Sequence, residues 1–359
     1  MQAVVRRNGA LVCAEVADPV PGAGQVLLRT LTCGICGSDL HAHIHMERRA
    51  RTHAKAGRPV TTDPARDMVF GHEFCGQVLD YGPDAERRFE PGARVVALPY
   101  ATGPAGRETV GFSNRFPGGY GELVCVDANM LMAVPDHVSD QQAAMVEPFA
   151  VGAHAVAEAT LDAGSVVMVI GCGPVGLAVV ASLKARGFGP IIAVDYSPGR
   201  RAMAERLGAD VIVDPAAQSP HSHWSALGVN LSMLERQAAQ DLGQRVRKPV
   251  VFECVGVPGV LQSIIQGVAP GAQIIVAGVC MEEDRFEPSM AINKQLQMRF
   301  VAAYTVGEFA GTLADIAEGR IDVAPVISGV VGRSGVAAAF QALAQPDSDI
   351  KIIIESGRA

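Results

Sequence analysis

The sequence predicts an α/β fold in two domains, one mostly β and one built on a parallel sheet covered by helices. Three observations lead there. The chain has 359 residues, 49% of them apolar, which is more than one hydrophobic core usually organises. Its first 150 residues read as short strands separated by Pro and Gly turns. From Ser165 onward, apolar β-branched runs alternate with helical stretches, the pattern of parallel strands buried on both faces.

The elements follow in order. Ala3–Val5, Leu11–Val16 and Val26–Leu31 alternate apolar and polar residues and read as antiparallel strands. Gln77–Tyr81, Arg94–Leu98 and Leu123–Val126 extend that pattern between Gly-Pro, Pro-Gly and Gly-Gly signals. The buried-strand runs Val166–Ile170, Ile191–Val194, Val211–Val213, Val250–Glu253 and Ile274–Ala277 then alternate with helices such as Val175–Arg186 and Gly199–Leu207. Helix-like Glu308–Glu318 and Gly335–Leu343 precede a last strand at Ile350–Ile354. The expected domains are 1–150 with 304–359, and 151–303. Two segments exceed the usual loop of about 4–6 residues. Ala42–Asp67 is basic and His-rich and reads as an insertion whose His43, His45 and His53 are solvated. Ala216–Lys248 contains the only Trp, Trp224, and the spacing of Leu227, Leu231, Leu234 and Ala238 predicts a helix.

Composition narrows the function. Lys+Arg 30 against Asp+Glu 37 gives a net charge of −7, so no basic surface for nucleic acid is expected. Eight cysteines in a chain of this length make no disulfide scaffold and fit a reduced compartment. After Arg6 and Arg7 the apolar stretch is broken by Glu15 and Asp18, which leaves no signal-peptide core and points to the cytoplasm. Ala163–Lys184 is uncharged before Lys184, long enough for a membrane span of about 20 residues. The Gly171, Gly173, Pro174 and Gly176 in its middle instead mark a strand, a tight turn and a helix.

That turn carries chemistry. Gly171-Cys172-Gly173-Pro174-Val175-Gly176 follows a strand and opens a helix, the context in which a G-x-G-x-x-G string binds a pyrophosphate at a helix N-terminus. Cys172 reads as a small filler. Asp195 ends the next strand, 19 residues after Gly176. A carboxylate there accepts both ribose hydroxyls and repels a 2′-phosphate, which favours NAD over NADP, although the nearby Arg200 is of the kind that accommodates that phosphate.

A second constellation lies upstream. Gly34-Ile35-Cys36-Gly37-Ser38-Asp39-Leu40-His41 and Gly71-His72-Glu73, together with Glu147, supply thiolate, imidazole and carboxylate. These are the ligand types of a catalytic zinc that keeps one open position. Adjacent residues of an extended strand point to opposite faces, which favours Glu147 as third ligand and leaves Glu73 as a close neighbour or alternate ligand. Asp39 is placed to orient His72 through its other ring nitrogen. Cys33, three residues before Cys36, lacks the thioredoxin-like surroundings of a redox pair.

With these motifs, and with Gly118-Gly119-Tyr120-Gly121-Glu122 and the Glu147–His154 stretch, the chain resembles the zinc-dependent medium-chain dehydrogenases/reductases, the alcohol dehydrogenase family, in the branch of sorbitol, threonine and butanediol dehydrogenases. The resemblance runs essentially from end to end. It implies a GroES-like β domain completed by C-terminal elements, with a Rossmann NAD-binding domain inserted. It also implies interconversion of a secondary alcohol or polyol and its ketone with hydride transfer to or from NAD. Cys36 and His72 match zinc ligands, and the third ligand is a Glu matching Glu73 or Glu147. Ser38 matches a hydroxyl relay residue, His41 the histidine that passes the proton outward, Lys351 a basic residue near the cofactor and Arg200 one beside the adenosine ribose. Many members hold a second, structural zinc in a lobe of four cysteines. Tyr100–Pro117, where that lobe would lie, contains no Cys, so one catalytic zinc per chain is expected. A homo-oligomer, dimer or tetramer, is also expected. Two rival readings share parts of the pattern: a zinc-free NADPH-dependent enone reductase of the same fold, and a non-catalytic dinucleotide-binding protein.

Overall fold

Strands from both ends of the chain share one sheet. A computed structural model describes all residues except Ala105, Pro346, Ser348 and Ala359. Its contacts divide the chain into two units, Met1–Pro148 with Phe309–Gly319 and Val323–Ala359, and Phe149–Glu308 with Arg320–Asp322.

In the first unit a seven-stranded sheet runs in the order Ile327–Val331, Lys351–Glu355, Gln25–Gly34, Glu73–Tyr81, Arg94–Ala97, Leu131–Ala133, and Leu123–Asp127 also pairs with Gln25–Gly34. The central strand Gln25–Gly34 buries Val26, Leu28 and Cys33 completely, at roughly 1.5–3 kcal/mol for each large apolar side chain. Its last residue, Gly34, faces Glu73 on one side and Ile353 on the other. Three stretches far apart in sequence thereby meet at one corner. Two hairpins, Gln2–Arg7 with Ala10–Glu15 and Tyr100–Gly103 with Gly106–Thr109, flank the sheet.

The insertion at 42–67, too long for a plain loop and so expected to carry structure of its own, is helical as far as Lys55. Gly37–Lys55 forms a helix of 19 residues that buries only Asp39, Ala42 and Met46. That narrow stripe is too thin to give a clear apolar period, and His45 departs from helical geometry (φ −117°, ψ 31°), which interrupts the pattern further. The exterior is rich in Arg and His, which favour or tolerate a helix.

The second unit holds six parallel strands in the order Val211–Val213, Ile191–Val194, Ser165–Ile170, Lys248–Glu253, Gln273–Val276, Gln297–Phe300. The order reverses beside Ser165–Ile170, the doubly wound arrangement that opens a ligand crevice at the carboxyl ends of the strands. Val166, Met168, Ile192, Val251 and Ile274 form the core on one face, with Trp224 packed among them. The helix expected across 227–238 is shorter: Met233–Asp241, opened by a Ser232–Glu235 capping box. Leu231 and Leu234 are exposed, so the anchor of this segment is Trp224 rather than a leucine stripe. Among the described residues no helix is long and apolar enough to cross a membrane.

Candidate functional site

The corner where Gly34 meets Glu73 and the C-terminal strand collects the first group of site residues. Cys36 lies two residues beyond the strand and forms the N-cap of helix Gly37–Lys55, a position where the helix end favours a thiolate. The helix then delivers Ser38 and, one turn on, His41. Ser38 Oγ donates to Cys36 Sγ at 3.1 Å and stands 3.4 Å from His72 Nε2. Donor atoms of Cys36, His72 and Glu73 all lie within 4.8 Å of one another.

His72 and Glu73 converge because the strand begins only at Glu73. His72 sits on the irregular approach after Gly71, whose φ of +103° turns the chain, so strand alternation does not separate the two side chains. Glu147 stands outside this group of three. It lies in the first turn of helix Val146–Ala157, buried, and its charge bears on Lys351 and Tyr100.

The surroundings fix each donor. Asp39 Oδ2 accepts from the Cys36 backbone N–H at 3.1 Å and from the Tyr120 hydroxyl at 2.9 Å, while Asp39 Oδ1 lies 3.3 Å from His72 Nδ1. Burial opposes the charged form of His72, but the Asp39 charge and the Cys36 sulfur lift it well above its ordinary value. Burial and the Glu73 carboxylate push the Cys36 thiol up, against a pull from His72. Glu73 is fully buried and takes both oxygens to Lys351 Nζ, at 2.8 and 2.6 Å. Lys351 is 1% exposed and also donates to the Ile35 carbonyl at 3.0 Å. Burial would lower its pKa, yet the charges of Glu73 and Cys36 raise it. A Cβ on Gly34 would collide with Glu73 Oε2, so the strand makes room for the carboxylate only by carrying glycine there.

This donor set fits a divalent metal. Sulfur, nitrogen and oxygen converge from three residues, in the mixture that suits zinc. His72 Nδ1 and Asp39 Oδ1 are both buried without an aligned hydrogen bond. A ligand on Nε2 makes Nδ1 the protonated nitrogen and gives Asp39 the donor it lacks.

Two roles were not legible in the sequence. Gly118, Gly119 and Tyr120 pair through their backbone N–H groups with the carbonyls of Val69, Gly71 and Phe70, which delivers the Tyr120 hydroxyl to Asp39. Lys351, expected near the cofactor, is committed to Glu73. The Gly118–Glu122 string was the only sequence signal for the first, and nothing local signals the second.

The second group lies in the parallel-sheet unit. Gly171 (φ +89°) turns the chain after strand Ser165–Ile170. Gly173 then caps helix Pro174–Ala185, which has Pro174 at its start and Val175 next. A Cβ on Gly176 would strike the Gly171 carbonyl oxygen, which is why the turn can close so tightly. Asp195 Oδ2 accepts from the Cys172 backbone N–H at 2.7 Å, and Oδ1 from the Ser197 backbone N–H at 2.8 Å. The carboxylate is thereby held at the mouth of the turn with lone pairs to spare. Arg200 Nε is buried without a hydrogen-bond partner. Cys172 is fully buried, and burial pushes its thiol up to about 12, as suits a filler.

Comparison with known proteins meets this geometry. Residues 22–136 match the alcohol dehydrogenase GroES-like domain, and residues 174–318 match the zinc-binding dehydrogenase family. An (R,R)-butanediol dehydrogenase of Bacillus subtilis (strain 168) is 32% identical over 349 residues, covering 95% of each chain.

The chain belongs to the zinc-dependent medium-chain alcohol dehydrogenase family.

A sorbitol dehydrogenase of Bos taurus is 28% identical over 341 residues, 90% of this chain and 87% of that one. The crystal structure of 2R,3R-butanediol dehydrogenase from Bacillus subtilis superposes with a TM-score of 0.77 at 29% identity and covers 99% of both chains. The fold is thus a GroES-like domain plus a Rossmann domain. As a member of this dehydrogenase family the protein is an enzyme that interconverts an alcohol and its ketone, with zinc and a nicotinamide cofactor. Neither the zinc-free reductase nor the non-catalytic binding protein finds support.

Proposed function

We propose that this dehydrogenase oxidises a secondary alcohol or polyol with NAD, or reduces the corresponding ketone, using one zinc per chain. The observation that carries the reading is the group of three donors Cys36, His72 and Glu73 within 4.8 Å, with the Ser38 hydroxyl against two of them. Butanediol and sorbitol dehydrogenases among the relatives support the substrate class. The absence of Cys from Tyr100–Pro117 supports a single metal.

Cys36, His72 and Glu73 are the residues that would hold zinc, with Glu147 close by as the alternate carboxylate. Zinc there supplies the Lewis acidity that brings an alcohol's pKa toward neutrality. Ser38 Oγ accepts the alcohol's proton while handing its own on toward His41, which lies on the same helix face three residues on and passes it outward. His41 suits that task because burial, helped by the charge of His45, lowers its pKa and keeps it neutral and accepting at pH 7. Asp39 and Tyr120 hold the His72 ring, and Lys351 holds Glu73. Hydride transfer itself belongs to the nicotinamide. The amides of Gly173, Val175 and Gly176 form the pyrophosphate seat; Gly171, whose N–H donates to the Val194 carbonyl at 2.9 Å, makes the turn, and Pro174, which lacks an N–H, serves to start the helix. Asp195 takes the adenosine ribose, with Arg200 beside it.

The same reading assigns 1–150 and 304–359 to the catalytic domain and 151–303 to the NAD domain. It places the enzyme in the cytoplasm as a dimer or tetramer. An alcohol screen on metal-quantified protein, followed by NADH and NADPH absorbance, tests it. Turnover with NAD at about one zinc per chain is expected; full turnover in zinc-free protein, or with NADP alone, overturns it.

A further inference from the structure

Two residues of the insertion at 42–67 meet on Phe112, a residue far from them in sequence. Arg49 is half-buried and sets its guanidinium over the Phe112 ring, 4.2 Å from the centroid. Thr61 Oγ1 donates to the Phe112 carbonyl at 2.9 Å, and the Thr61 carbonyl accepts from the Asn114 backbone N–H at 3.1 Å. One residue grips the ring, the other the backbone on either side of it.

Phe112 is itself buried, and it lies against the metal corner. Its ring centroid is 5.0 Å from that of His72, with the two planes tilted by 39°. Phe70 packs edge-on to the same ring at 6.1 Å. The backbones are equally close: a Cβ on Gly111 would stand 2.6 Å from the Gly71 carbonyl oxygen. The pair Gly111–Phe112 therefore rests directly on the pair Gly71–His72. Asp39 meets the imidazole at one edge, through Nδ1. A contact at one edge lets a ring tilt about it, and a second ring packed beside it removes that freedom.

We propose that the insertion braces His72: Arg49 and Thr61 fix Phe112, and Phe112 fixes the imidazole in the orientation that offers Nε2 to zinc. All three are positioning residues, and the proposal rests on the zinc reading of the Cys36–His72–Glu73 corner. An arginine suits the task because an aromatic face attracts its cation and packs against its planar head. Burial and the charge of Arg58 lower the Arg49 guanidinium only to about 10, against a pull from Asp39, so it stays cationic at neutral pH. Its charge by itself would act in the opposite sense. A cation near a metal site repels zinc, so an Arg49 that worked through its field would weaken zinc binding. One that works through Phe112 strengthens it.

Zinc affinity, read by competition with a chromophoric chelator, tests the brace independently of turnover. Phe112→Leu should weaken zinc binding at least about tenfold, the scale on which groups behind a metal ligand act. Arg49→Gln and Thr61→Val should each weaken it about threefold, and Arg49→Lys, which keeps a cation for the ring, should stay within about twofold of the wild type. In the Phe112→Leu background, Arg49→Gln should have no further effect, because the arginine acts through the ring. The two single variants at the insertion keep the test open where Phe112→Leu does not fold. Unchanged or tighter zinc binding in Arg49→Gln or Thr61→Val overturns the proposal, as does an Arg49→Gln effect that persists undiminished in the Phe112→Leu background. Equal zinc affinity of the wild type and Cys36→Ser would remove the zinc reading itself and the brace with it, a result that shows without any change at Phe112.

Discussion

The metal corner and the dinucleotide turn solve the same problem, holding a charged group still, by opposite means. The turn uses a contiguous run, Gly171 to Gly176, plus one carboxylate, Asp195, pinned by two backbone N–H groups at 2.7 and 2.8 Å. Its working groups are backbone amides, whose positions follow from glycine and proline at set spacings. The corner draws Cys36, Asp39, His72, Glu73, Tyr120 and Lys351 from across the sequence. Its working groups are buried, titratable side chains, each held by another. The difference teaches where each site is fragile: the turn fails when an atom is added, and the corner fails also when a partner is removed.

Four experiments break or sharpen that contrast. Cys36→Ser should remove zinc and lower kcat by at least about 10³-fold, while NAD affinity, read by NADH fluorescence, stays within about threefold. Loss of NAD binding in the same variant would show that the two sites are not separable. Glu73→Gln leaves Lys351 charged and buried without its carboxylate, a loss of about 3–5 kcal/mol readable by urea unfolding of chelator-treated protein. Adding Lys351→Met should restore most of that stability, and failure to do so would mean that Glu73 matters here for something other than the pair. Gly176→Ala puts a methyl group onto the Gly171 carbonyl and should cost about 1–3 kcal/mol, with weaker NAD binding and an unchanged zinc content.

The smallest effect concerns pH. His41 has a pKa below its ordinary 6.5, because burial and the His45 charge disfavour its protonated form. The neutral, proton-accepting ring therefore prevails above that lowered value, and alcohol oxidation should fall only as pH drops through it. His41→Ala should reduce kcat about tenfold and abolish that acidic limb. A limb that persists unchanged belongs to another group.

Much of this was readable in advance. The strand runs, the turn and its acidic partner, and the pairing of a Cys36 string with a Gly71-His72-Glu73 string all rest on spacing within one element or across one turn. The helix at Gly37–Lys55 was hidden because only Asp39, Ala42 and Met46 face inward. The convergence of His72 with Glu73 was hidden for a different reason: it depends on where the strand begins, and element boundaries are the least certain part of a sequence reading.

By itself, then, the sequence determined the two-domain α/β plan, the dinucleotide turn and the chemical types gathered for a metal, because those are written in local periods and fixed offsets. Tertiary structure alone placed Glu73 beside Cys36 and His72, the Tyr120 hydroxyl on Asp39, and Lys351 on Glu73. Those contacts depend on sheet register, with Gly34 between Glu73 and Ile353, and register is settled by long-range pairing that no short stretch of the chain can specify.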